Sequence, residues 1–141
     1  MNRLFFLVMI ISLFSFTTKV YAQPEKCPVL SNLEEVTIKD KQEVVKALKT
    51  IIPQTYEVGE SSDNYSEWNI VSAVPFPMTV GNKKEEDYYG MAKYFCGKEI
   101  ADKSWLVRLD FPKIQGASAS QGQLFLAKNK EKGWFVWFRY H

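Results

Sequence analysis

The sequence predicts an α+β fold, with one N-terminal amphipathic helix packed on a curved antiparallel sheet of four to five strands. Three observations carry this. One segment, residues 40–52, places apolar side chains at helical spacing. The chain after it breaks into short apolar-rich runs separated by turn residues. Two of those runs, 104–111 and 134–140, alternate so that one face is apolar throughout. Successive strands joined by turns pair antiparallel, and a sheet with an apolar face needs a helix to cover it.

Each element has a local reason. Gln23 to Lys39 reads as an irregular arm with a short turn at Asn32–Val36. Asp40 serves as helix N-cap, and Glu43 three residues on completes an acidic capping box. Val44, Ala47, Leu48 and Ile51 form the buried stripe, widened by Val45 and Ile52. Pro53 ends the helix, because it lacks an N–H and biases Ile52 away from helical dihedrals. Glu60–Asn64 is a polar turn, and Trp68–Val74 is a strand whose Val74-Pro75-Phe76-Pro77 exit confines it to an edge. Gly81–Asp87 reads as a charged turn, Tyr88–Cys96 as a strand and Gly97–Lys103 as a turn. Ser104–Phe111 is a strand ended by Pro112, followed by a small-residue loop at Ile114–Gln121. Gln123–Lys128, a charged turn at Asn129–Gly133 and Trp134–Tyr140 complete the sheet.

Trp105, Val107, Leu109 and Phe111 share one face of their strand, and Trp134, Val136, Phe138 and Tyr140 share one face of theirs. The layout resembles, in architecture alone, the cystatin-like and cone-shaped α+β folds. The cystatin signature Gln-x-Val-x-Gly is not matched, since Gln54, Val58 and Gly59 have the residue types at the wrong spacing. The resemblance therefore implies a fold and no function.

Residues 1–22 have the three-part layout of a secretory signal peptide. Arg3 supplies the charge, Leu4–Phe16 the apolar run, and Val20 and Ala22 the small residues before a cut at Gln23. The apolar run is 13 residues, short of the about 20 a membrane-spanning helix needs. The expected mature protein is a single domain, 23–141, with no stable membrane anchor. In an exported chain the two cysteines, Cys27 and Cys96, form a structural disulfide. Removing Arg3 and Lys19 leaves 16 bases against 16 acids, which argues against nucleic acid as a partner.

Catalytic chemistry has little to work with. His141 is the lone imidazole, no Gly-x-Ser-x-Gly elbow occurs, and no glycine loop ends in a phosphate-binding lysine. Glu85-Glu86-Asp87 lacks the oxygen spacing of a calcium loop, and no zinc set exists. No cofactor or metal is expected. The informative feature is the reverse face of the last strand, where Phe135, Trp137, Arg139 and His141 point away from the helix. Arg108 and Asp110 occupy the same face of the other alternating strand. Arginine and tryptophan dominate binding hot spots, because both bury large area and still hydrogen-bond or stack. Phe135, Trp137, Arg139, Arg108 and Asp110 are therefore the expected binding surface, with a protein partner in the extracytoplasmic space. Two alternatives stay open: the N-terminal arm covers this face as a second layer, or Arg108 and Asp110 serve a small-molecule pocket or a modest enzyme at the mouth of the sheet.

Overall fold

The computed structural model describes residues 23–141; the expected signal peptide, 1–22, lies outside the described residues. The first long element, α1 (Lys41–Tyr56), buries Val44, Leu48, Ile51, Ile52 and Tyr56. It is led in by a 3₁₀ turn, Ile38–Asp40, and the capping box belongs to that turn. The Thr37 side chain accepts from the Lys39 N–H, and the Asp40 carboxylate accepts from the Thr37 N–H at 2.6 Å. Asp40 therefore makes no side-chain cap on α1, contrary to expectation. Nor does Pro53 end the helix, which continues through it to Tyr56. Pro53 withholds one N–H, but its own carbonyl still accepts from Glu57 at 3.0 Å. The extra turn delivers Tyr56 against Phe111 and Tyr65, with ring centroids 4.7 and 5.3 Å away.

The sheet is a four-stranded antiparallel meander in the order β1-β2-β3-β4. Its strands are β1 (Asn69–Pro75), β2 (Ser104–Asp110), β3 (Gln121–Asn129) and β4 (Gly133–Tyr140). As the proline-flanked exit requires, β1 is an edge strand. One face carries Trp105, Val107, Leu109, Leu124 and Leu126, which share a core with α1. Leu106, Phe125 and Ala127 emerge on the other face into a second core.

That second core corrects the reading of residues 81–103. Lys83–Cys96 is a helix, α2, and Lys98–Asp102 a short helix, α3, rather than turn, strand and turn. The buried residues of α2 are Glu85, Tyr89 and Ala92, one helical face written in an acid, a tyrosine and a single methyl group. Glu85 and Glu86 favour its first turn, and Gly97 ends it at φ 85°. Tyr89 stacks on Phe76 and donates to Asp102 of α3. The Cys27–Cys96 disulfide ties the arm to the last residue of α2. The arm's turn lies at Leu30–Asn32, slightly earlier than expected, and Leu33 bridges to Asn129.

β4 departs from simple alternation. Its register against β3 shifts between Phe125 and Leu126, which pair with Phe138 and Val136 and leave Trp137 as an inserted residue. Trp134 and Val136 pack on the α1 core, while Phe135, Trp137, Phe138 and Tyr140 pack on the α2 core. Phe138 and Tyr140 therefore do not share a core with Trp134 and Val136, because the bulge reverses the alternation at Trp137.

Two expectations follow. A Cβ built on Gly122 would stand 2.5 Å from the Tyr56 hydroxyl and 2.9 Å from Phe111 Cε2. We expect Gly122→Ala to cost roughly 1–3 kcal/mol in urea unfolding, the usual penalty of overpacking. Tyr89 titrates at about 12, raised by burial and by its bond to Asp102. The unfolded chain ionises this tyrosine near pH 10, so its proton stabilises the fold below that pH and the contribution declines as pH rises from about 10 towards 12. The midpoint of thermal unfolding should fall across that window, and Tyr89→Phe should flatten the decline.

Candidate functional site

Only one side of β4 is hydrogen-bonded in the sheet. The strand pairs with β3 alone, and among the described residues no backbone hydrogen bond outside the ladder involves Trp134–Tyr140. Facing this edge is the N-terminal arm, held at two places. Glu34 N–H donates to Lys128 at 2.9 Å and Lys130 N–H to Asn32 at 2.9 Å. Seven residues before Glu34, the disulfide fixes Cys27. Between arm and strand lies an open groove of about 690 Å³, lined by residues 23–29 and 135–139 and closed at the hairpin end by Asn32, Leu33 and Asn129. Five consecutive residues of β4 line it, so it follows the strand's edge rather than one sheet face.

The groove gathers three of the five expected site residues, though not as one exposed face. Phe135 is half-buried. Trp137 is 8% exposed, and its Nε1 donates to Ser104 Oγ at 3.0 Å. Ser104 in turn donates to the Ile100 carbonyl at 2.7 Å, so Trp137 is tied through β2 to α3. Arg139 is exposed but lies on the α1 side, carried there by the bulge. Its guanidinium stacks 4.3 Å over the Tyr56 ring, Nη1 donates to the Thr55 carbonyl at 2.8 Å and Nε to the His141 carbonyl at 3.1 Å. The expected single aromatic and arginine surface is therefore divided by the sheet.

Arg108 and Asp110 lie away from the groove. Register aligns Ser72, Arg108, Gln123 and Tyr140 across the four strands, on the face beneath α2. Glu85 from the first turn of α2 approaches Arg108 at 3.6 Å, and its other oxygen accepts from Asn82 at 3.1 Å. Burial pushes the Tyr88 phenol above its ordinary range, against the pull of the neighbouring Arg108 guanidinium. Among the described residues Ser72 Oγ, Arg108 Nε and Gln123 Oε1 are all buried without a hydrogen-bond partner. Asp110 sits two residues further along β2, half-buried, opposite Asn69 and Gln121. The acidic run Glu85-Glu86-Asp87 is helix rather than turn, with Glu85 directed to Arg108.

The alternative in which the arm covers this face holds for its inner part, since Cys27, Leu30 and Leu33 pack in one core with Trp137 and Phe138. Ser104 as the anchor of Trp137 was not foreseen from the sequence. The only signal for the arm was Cys27, since a disulfide there necessarily brings its neighbours to the folded body. Among the described residues no helix is long and apolar enough to cross a membrane, and no group of three histidine, cysteine or carboxylate side chains is placed to hold a metal. Comparison with protein-family models, with characterised proteins and with solved structures finds no match.

An unpaired buried polar atom costs about 1–3 kcal/mol. Gln123→Leu, which keeps the volume and removes the orphaned amide oxygen, should leave the protein at least as stable as the wild type in urea unfolding.

Proposed function

We propose that this chain is an exported, non-catalytic binding protein, of the inhibitor, immunity-factor or envelope-adaptor kind. It holds a protein partner in the groove between its N-terminal arm and β4. The observation that carries the reading is the groove itself. It joins an unpaired strand edge, the half-buried Phe135 and the stacked guanidinium of Arg139, with the buried Trp137 fixing the strand behind them. Such aromatic and arginine groups anchor protein interfaces. The leader pattern of residues 1–22 and the intramolecular disulfide support action outside the cytoplasm. The groove is preferred to the Arg108 row as a binding site because α2 already covers that row.

Val29, 54% exposed, lines the groove, whereas Val71, 52% exposed, marks the opposite edge of the sheet. A photo-crosslinking side chain at each position, tested in the native extracytoplasmic fraction, separates the two surfaces. We expect a discrete adduct from position 29 and none from position 71. Adducts from 71 alone, or equally from both, would remove the groove from the proposal.

A further inference from the structure

The groove has the dimensions and chemistry of a missing strand. Taking that site as the binding site, we infer that the partner inserts an extended peptide segment as a fifth strand beside β4. The occupant is an extended segment, apolar at alternate positions and carrying a carboxylate opposite Arg139.

Backbone chemistry selects this occupant. An edge strand offers N–H and C=O groups at regular spacing, and only another extended chain can pair with them in series. The ladder to β3 satisfies one side of β4, and nothing among the described residues satisfies the other. The arm is not that extra strand. Pro24 and Pro28 lack N–H groups, and no backbone hydrogen bond joins residues 23–29 to β4. It stands off instead and leaves about 690 Å³. Five residues of strand, at roughly 3.4 Å per residue, 4.8 Å between strands and a 10 Å layer, occupy roughly 800 Å³. The two figures are of the same order, so the groove has room for one extended segment.

Other occupants fit less well. A helix is about 10 Å across and has already satisfied its own backbone, so it would leave the β4 groups unpaired. A second copy of this chain would bring its own β3 and its own arm with its β4, and the two arms would occupy the same approach. The other sheet edge is not equivalent, because β1 ends in Pro75, which offers no N–H to an added strand. Charge sets the polarity of the partner: on the arm wall Glu25 and Lys26 offset each other, while the β4 wall carries one cation, Arg139, and no acid.

The test is selection of a random peptide library of about ten residues, displayed on phage, on the oxidised protein, followed by an N-methyl scan of a selected peptide. Strand addition predicts period-two apolar patterns with an Asp or Glu. N-methylation at every second residue should then weaken binding about tenfold or more, and at the residues between should have little effect, with one change of phase opposite the Trp137 bulge. Arg139→Glu should exchange the preferred acid for Lys or Arg. Peptides that bind the groove with helical spacing, or with no alternation in the N-methyl scan, would overturn strand addition while leaving the groove as the site. Failure to select any peptide would also overturn it; the groove reading would then stand if Val29 still crosslinks a full-length partner, and fall with it if Val29 is silent.

Discussion

Strands β2 and β3 are apolar on both faces, and most of the architecture answers that constraint. Trp105, Val107, Leu124 and Leu126 point one way, and Leu106, Phe125 and Ala127 the other, all at or near zero exposure. A sheet solvated on one face would leave one of these rows in water, at a cost that grows by about 25 cal/mol for each Å² of apolar surface. Two covers are therefore required. The helix α1 supplies the first, and α2, α3 and the arm together supply the second. The disulfide belongs to this second cover, joining its two non-adjacent pieces across a sequence separation of 69. In the chain-entropy description such a closure contributes roughly 4 kcal/mol.

The parts of this fold that were legible in the sequence are those whose apolar pattern is unambiguous. The α1 stripe of Val44, Leu48 and Ile51 has only one period, and the runs at 104–111 and 134–140 are too rich in β-branched and aromatic residues, and too short between turns, to be anything but strand. The helix α2 escaped because its buried face is Glu85, Tyr89 and Ala92, while Tyr88, Tyr94 and Phe95 spread aromatics round the rest. Aromatic and polar residues without aliphatic spacing read as strand or turn, although Glu85-Glu86 at one end and Gly97 at the other are the marks of a helix. Pro53 failed as a stop signal for a different reason. The packing of Tyr56 with Phe111 and Tyr65 favours another helical turn, and the proline removes only one hydrogen bond from it.

The candidate site was half legible. Excess aromatic and arginine character in β4 is a property of composition, and it drew attention to the strand that lines the groove. Where those side chains point is a property of the bulge, and no residue type announces an inserted position. One extra residue places Trp137 and Phe138 in the same core and puts Arg139 on the other side of the sheet. Arg108 shows the same gap between composition and placement. Its helical neighbour Glu85 lay within a segment whose sequence resembled a solvated turn.

The inserted tryptophan also bears on how many ways this chain could pair. A hairpin with perfect alternation can slide by two residues and still bury an apolar row, so pattern alone leaves rival pairings. Trp137 removes that degeneracy, because its indole reaches past β3 to Ser104 and only one setting of β4 brings donor and acceptor to 3.0 Å. The same side chain that widens the strand locally thus acts as a key cut for a single alignment, and the sequence of β4 specifies its partner strand's position as well as its own burial.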